Sequence, residues 1–357
     1  MGEIKLMKGN EALAEAMIRA GCDAYFGYPI TPQSEVLEYL SQDATKRTGM
    51  VVLQAESEIA AINMVYGAGG TGKRVMTTSS SPGISLMQEG ISYLAGSEIP
   101  CVIANVNRGG PGLGTIQPGQ GDYFQSVKGG GHGDYKLLVL APSTVQETVD
   151  FVKLGFDLAE KYRNPVLILT DGAVGQMMEK VELFDQMPRK TEFPDWATNG
   201  KPEGKDRRYL TSLFIKPEEM EQVNIHLQKK YKEIVDNECR WETFQTEDAD
   251  YILTGYGLGA RICKKVMELG RAKGYKIGVV RPVTVFPFPY HVYKELVPNI
   301  KGILDVEMNA GQMVEDVRLA VEGNTRVEFY GRMGGMIPSP EDILEYFEEI
   351  YINGGAK

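Results

Sequence analysis

Apolar residues recur at helical spacing through Leu13, Met17 and Ile18, and a short apolar block follows at residues 23–28. The same alternation repeats down the chain. Val36, Leu37 and Leu40 stripe a second helix, and residues 51–54 form a second compact block. Helical patterns at 57–67, 83–94 and 145–162 then interleave with blocks at 74–78, 101–106, 137–140 and 166–170. Blocks of this length, apolar throughout and separated by amphipathic helices, are strands buried on both faces. They predict an α/β fold with a doubly wound, mainly parallel sheet.

The pattern changes after Phe184. Residues 185–248 are charged and interrupted by Pro188, Pro194, Pro202 and Pro217. Within them, residues 217–240 carry Met220, Val223, Leu227, Tyr231 and Ile234 on one side of an exposed helix. A second α/β unit follows, with strands at 251–254, 277–280, 302–306 and 327–330, a turn at 255–259, and helices at 260–273 and 311–322. The expected organisation is a first domain over 1–185, a charged linker with a helix over 186–245, and a smaller α/β domain over 246–357.

Composition narrows the function. A chain of 357 residues exceeds one typical core, which fits two domains. A net charge of −10 without a Lys/Arg cluster argues against a nucleic-acid face. The four cysteines are far apart and form no CxxC pair, and the three histidines have no metal spacing. No iron–sulfur, zinc or other metal site is expected on this chain. Reduced cysteines place it in the cytoplasm. No apolar run reaches the roughly 18 residues of a membrane span. The start interleaves Glu3, Lys5, Lys8 and Glu11 with apolar residues, unlike a signal peptide.

Candidate chemistry sits where strands give way to helices. In Gly27-Tyr28-Pro29-Ile30-Thr31-Pro32-Gln33-Ser34-Glu35, two prolines restrain the backbone around Ile30 and Thr31. A stiff loop suits ligand binding, and equally an ordinary strand-to-helix turn. Glu58 opens a helix rich in small residues, where a carboxylate either caps the helix or meets a ligand nitrogen; Glu56 competes for the role. Ser79-Ser80-Ser81-Pro82-Gly83 can present hydroxyls and N–H groups to a ligand, or simply cap a helix. Arg108 is followed by Gly109, Gly110, Gly112 and Gly114, which leave room for a planar grip on a carboxylate or phosphate. The glycine-rich stretch continues to Gly133 past His132, an exposed loop residue or a proton carrier. Gly255-Tyr256-Gly257-Leu258-Gly259-Ala260 looks like a dinucleotide turn but lacks the final glycine and the ribose-binding acid. Gly69-Gly70-Thr71-Gly72-Lys73 lacks P-loop spacing.

Taken in order, Gly27-Tyr28-Pro29-Ile30-Thr31-Pro32, Glu58-Ile59-Ala60-Ala61, Ser81-Pro82-Gly83 and Arg108-Gly109-Gly110-Pro111 resemble the α subunit of the 2-oxoacid:ferredoxin oxidoreductases. Glu307-Met308-Asn309-Ala310-Gly311-Gln312 and Tyr330-Gly331-Arg332-Met333-Gly334-Gly335 extend the resemblance over nearly the whole chain. Gly114-Thr115-Ile116-Gln117-Pro118, the segment 128–135 and Gly175-Gln176-Met177-Met178-Glu179 are most similar to the branched-chain (2-oxoisovalerate) members.

The resemblance implies a pyrimidine-binding domain for thiamine diphosphate followed by a transketolase C-terminal-like domain. It implies that Glu58 faces N1′ of the aminopyrimidine as the catalytic acid–base, that Arg108 holds the substrate carboxylate and that Thr31 hydrogen-bonds the substrate. Pro29, Ile30, Ser81, Pro82 and Gly83 would line the pyrimidine pocket. Asp171-Gly172 is no G-D-G…N motif, so diphosphate and Mg²⁺ would fall to a β subunit. [4Fe–4S] clusters would sit in partner subunits, a γ subunit and a ferredoxin-like δ subunit among them, with ferredoxin as electron acceptor and coenzyme A as acyl acceptor. The alternatives are a 2-oxoglutarate enzyme, for which Lys128 is the available second cation, a non-redox decarboxylase half, and a non-catalytic nucleotide-binding or scaffold subunit.

Overall fold

The apolar blocks are too short and too rich in β-branched residues to be helices, and they become strands. A computed structural model describes residues 2–201, 203–204 and 206–354; Pro202, one of the expected chain breakers, lies outside them. In chain order the strands are β1 (Glu3–Lys8), β2 (Ala24–Gly27), β3 (Val51–Gln54), β4 (Val75–Ser79), β5 (Val102–Asn107), β6 (Leu138–Leu140), β7 (Val166–Asp171), β8 (Met178–Leu183), β9 (Trp241–Phe244), β10 (Tyr251–Thr254), β11 (Ile277–Pro282), β12 (Thr284–Phe286), β13 (Gly302–Glu307) and β14 (Arg326–Gly331).

Seven strands form the first sheet in the order β12-β6-β7-β5-β4-β2-β3, parallel except for the antiparallel β12. Every residue of β4, β5 and β7 is buried, as a parallel sheet with helices on both faces requires. Five strands form the second sheet, β14-β13-β10-β11-β9, parallel except for β9. The doubly wound α/β expectation therefore holds.

Four strands escape local pattern reading. β1 has four exposed positions out of six, and it pairs antiparallel with β8 across most of the first sheet's sequence. β9 falls in the charged stretch. β12 is three residues long and follows a proline. It reaches back from the second unit to hydrogen-bond β6 in the first sheet. Helix Glu58–Gly70 runs beyond the expected 57–67 because its terminal glycines admit a neighbour: a Cβ on Gly69 would lie 2.7 Å from Ile99 Cγ2.

The first helix, Gly9–Arg19, carries a fully buried Glu15. Its carboxylate accepts from Arg19 Nε (2.6 Å), Arg47 Nη1 (2.6 Å), Arg47 Nη2 (2.8 Å) and Tyr39 OH (3.0 Å). Burial opposes the charge, but the two guanidiniums win and hold the carboxyl down at about 2. A depressed pKa contributes stability above the unfolded value of 4.5, lost as pH falls toward 2. Glu15→Gln is expected to cost about 3 kcal/mol at pH 7, since it strands two cations. Its denaturant midpoint should also depend less on pH between 4.5 and 2 than that of the parent.

Candidate functional site

Four segments converge at the carboxyl ends of adjacent strands in the first sheet: the loop after β2, Glu58 after β3, Ser79–Gly83 after β4, and Arg108 after β5. This is the edge at which open α/β sheets bind ligands.

Glu58 is the first residue of its helix, and Ser57 supplies the cap by accepting from Ala60 N at 3.2 Å. The glutamate is free of capping duty and only 5% exposed. Among the described residues its carboxylate has no hydrogen-bond or ion-pair partner. A buried, partnerless carboxylate is costly unless something else bonds to it. Gly83 shapes the space beside it. A Cβ there would lie 2.6 Å from Glu58 Oε1 and 2.0 Å from Ser79 Oγ, so a larger residue would displace both side chains. Glu56, the competitor, is exposed and accepts only from its neighbour Ser57 (3.2 Å).

The loop after β2 is as stiff as its prolines suggest. The Pro32 carbonyl accepts from Asn10 Nδ2 (2.7 Å) and Gln176 Nε2 (3.2 Å), and both amides also reach Glu35. The Thr78 hydroxyl donates to buried Gln33. Arg108 closes the loop from the other side. Its Nη1 donates to the Thr31 carbonyl and its Nη2 to the Leu113 carbonyl, each at 2.8 Å. Its backbone N–H donates to Ser81 Oγ at 3.1 Å. Thr31, Ser81 and Arg108 thus share one constellation, with Glu58 and Gly83 beside it. Pro82 and Ile30 are half-buried at its margin, and Pro29 is exposed at the outer end of the loop.

Several buried polar atoms at this edge lack a protein partner: Thr77 Oγ1, Ser79 Oγ, Ser80 Oγ, Asn105 Oδ1, Asn107 Nδ2 and Arg108 Nε. Groups this well buried are completed by water or by a ligand. Asp122 belongs to the same edge. Burial lifts its carboxyl above the usual range, against hydrogen bonds from Ser81 and from Asn105 Nδ2 (2.8 Å). No local signal marks Asp122 or Asn105 in the sequence; a glycine-rich loop delivers the one and a buried strand the other. The second unit contributes too. A Cβ on Gly109 would lie 2.6 Å from Gly335 N, so the Gly334-Gly335 turn rests directly on the arginine loop.

Other candidates are placed elsewhere. Lys128 pairs with Asp316, which also accepts from Tyr123 (2.7 Å) and Tyr290 (2.6 Å), so this cation is already engaged. His132 is exposed. The glycine turn at 255–260 is filled by protein: buried Gln120 donates to the Tyr256 carbonyl (2.9 Å) and accepts from Met308 N (2.9 Å). Arg281, in the segment that lacks the ribose acid, is fully buried against Glu147 and Glu242. Asp171 caps its own short helix through Ala173 N (2.8 Å) and Val174 N (3.1 Å), while burial pushes its carboxyl up to about 6. Among the described residues no cluster of His, Cys, Asp and Glu could hold a metal ion, and no helix is long and apolar enough to cross a membrane.

Comparison with known proteins identifies the family of the chain. Residues 15–242 match the family described as pyruvate flavodoxin/ferredoxin oxidoreductase, thiamine diphosphate-binding, and residues 249–343 match pyruvate:ferredoxin oxidoreductase core domain II. The chain is 48% identical over 346 residues to ketoisovalerate oxidoreductase subunit VorB of Methanothermobacter thermautotrophicus, covering 97% of each. It is 35% identical to 2-oxoglutarate synthase subunit KorA of Methanocaldococcus jannaschii, covering 96% of this chain and 98% of that one. Among solved structures, a 2-oxoglutarate:ferredoxin oxidoreductase from Magnetococcus marinus, with 2-oxoglutarate, coenzyme A and succinyl-CoA bound, superposes with a TM-score of 0.87 at 28% identity. That alignment covers 98% of this chain and 65% of the other.

Proposed function

The chain belongs to the 2-oxoacid:ferredoxin oxidoreductases, and on that premise we propose that it is the α subunit of an enzyme that oxidatively decarboxylates branched-chain 2-oxoacids such as 2-oxoisovalerate. The products are acyl-CoA, CO₂ and reduced ferredoxin. Residues 1–185 act as the pyrimidine-binding domain for thiamine diphosphate, 186–245 as a linker, and 246–357 as the transketolase C-terminal-like domain.

One observation carries the reading: a buried carboxylate with no hydrogen-bond or ion-pair partner among the described residues packs against Gly83, amid orphaned buried hydroxyls. This group of polar atoms suits an aminopyrimidine, which has nitrogens to donate and accept. When bound, thiamine diphosphate supplies the carbon nucleophile and electron sink that decarboxylation of a 2-oxoacid needs. Glu58 holds and exchanges a proton at N1′ of the pyrimidine. Pro29, Ile30, Ser81, Pro82 and Gly83 line the ring's slot. The remaining donors of Arg108 bind the substrate carboxylate, and the Thr31 hydroxyl bonds the substrate oxygen.

The sequence carries no G-D-G…N motif for the diphosphate and its Mg²⁺, so a β subunit completes the cofactor site. A γ subunit and a ferredoxin-like δ subunit with [4Fe–4S] clusters pass electrons to ferredoxin, all in the cytoplasm. Exposed Leu113, Ile116, Met333, Met336 and Ile337 surround the arginine loop and give the β subunit an apolar seat.

Substrate choice rests on the greater likeness to the ketoisovalerate subunit and on Lys128, whose charge Asp316 already takes up. Steady-state kinetics on the assembled complex test it. We expect kcat/KM for 2-oxoisovalerate to exceed that for 2-oxoglutarate by about a hundredfold, the cost of burying a second carboxylate without a partner. A preference for 2-oxoglutarate would overturn the assignment.

A further inference from the structure

A second cavity of about 720 Å³ opens at the amino-terminal ends of β4 and β5, at the end of the sheet away from Glu58 and Arg108. Its size suits a small molecule, and its walls have the mixed character of a binding site. Phe156 forms an apolar floor, with Phe193 and Trp196 at the sides. Lys73, Arg74, Arg189 and Lys190 line it against two carboxylates, Glu160 and Glu192. Asp23 and Asp157, outside the lining, pair with three of these cations, so the positive charge here is largely balanced.

The cavity is built before any ligand arrives. Its outer wall is the strap 188–196, fixed at both ends. Arg189 donates to Asp23 (2.7 Å) and to the Gly49 carbonyl (2.8 Å), and Met187 N donates to the Arg19 carbonyl (2.7 Å). At the far end Thr198 N bonds the Gly70 carbonyl (2.8 Å). A Cβ on Gly72 would lie 2.8 Å from Pro194, so strap and helix end are in tight contact.

The cations are not equally engaged. Arg74 is spent on Asp157 (3.1 Å) and Glu160 (2.7 and 2.9 Å). Glu160 also carries Lys190, so one carboxylate serves two cations. Lys73 is held loosely: Asp23 stands 3.6 Å away and the Lys190 carbonyl 3.5 Å, long for charge-assisted bonds. Its ammonium lies 4.5 Å above the ring of Phe193, which is 43% exposed at the mouth. Arg163 lies over the ring of Trp196 at 4.8 Å, and Arg74 over that of Phe156 at 5.4 Å.

We propose that this cavity binds a nucleoside phosphate, its planar base between the aromatic walls and its phosphates on Lys73 and Lys190. Aromatic rings accept a flat heterocycle of any sequence, and the loosely held Lys73 accepts phosphate as a point charge, while Lys190 would have to exchange Glu160 for it. The phosphorylated adenosine end of coenzyme A carries the same chemistry as a free nucleotide.

The test uses the intact chain carrying Trp241→Phe, so that Trp196 is the remaining tryptophan. Titration with ADP should quench its fluorescence saturably, with a Kd below about 1 mM. Adenosine alone and pyrophosphate alone should each bind about tenfold more weakly. Lys73→Ala, at a half-buried position, and Phe193→Ala, at an exposed one, should each raise the Kd for ADP about tenfold with unchanged thermal unfolding. In the assembled enzyme, a raised KM for coenzyme A in Lys73→Ala would identify the cosubstrate's nucleotide end as the ligand; an unchanged KM would identify a separate nucleotide. No saturable response up to about 5 mM ADP, or a Kd indifferent to both substitutions, overturns the site. Either failure leaves the oxidoreductase reading intact, because Glu58 and Arg108 lie at the opposite end of the sheet.

Discussion

Glu58→Gln is expected to lower turnover of the assembled complex by roughly two to four orders of magnitude, the usual contribution of a positioned acid–base group. The substitution keeps the side chain's shape, its packing over Gly83 and a hydrogen-bonding oxygen, and removes the ability to hold a proton. Ser57 supplies the helix cap, so the substitution leaves the cap intact. Thermal unfolding and subunit assembly should therefore match the parent, while the single-turnover rate collapses. A variant that keeps more than about a tenth of parental turnover would remove Glu58 from the chemistry. A non-catalytic scaffold subunit, the main alternative from another class, predicts that outcome.

The second large effect concerns Arg108. Arg108→Ala should reduce kcat/KM for the 2-oxoacid by about two to four orders of magnitude, the worth of two charge-assisted hydrogen bonds at roughly 1.5–3 kcal/mol each. The same side chain ties the Thr31 and Leu113 carbonyls, so part of the loss comes from a slackened loop. Arg108→Lys separates the contributions. Lysine restores the charge but cannot bridge two carbonyls and a carboxylate with one planar group. It should recover little of kcat/KM while restoring salt-dependent substrate binding. Parental kinetics in Arg108→Ala would move the carboxylate site elsewhere.

Much of this arrangement was legible in the sequence because it is local. Apolar blocks and helical stripes fix the parallel core. The loop with Pro29 and Pro32, the glutamate at a helix start, the serine turn and the arginine before a glycine run each sit at a strand end, where the fold must bring them to one edge. What stayed hidden depends on distance along the chain. β1 pairs with β8 from the far end of the first unit, and its run of exposed positions matches neither a core strand nor a buried helix. Asp122 and Gln120 lie in a glycine-rich stretch with no periodicity, yet one reaches Ser81 and Asn105 and the other plugs the turn that resembles a dinucleotide motif. The engagement of Lys128 by Asp316 likewise joins residues from the two units.

The three residues of β12 bear on how this polypeptide can be divided. Although they come from beyond residue 280, they cover the open side of β6. A gene cut in the charged stretch would leave the larger fragment with a bare sheet margin, prone to recruit any stray strand. A fragment that ends in the charged stretch is therefore expected to self-associate through β6 unless residues 284–286 are supplied with it.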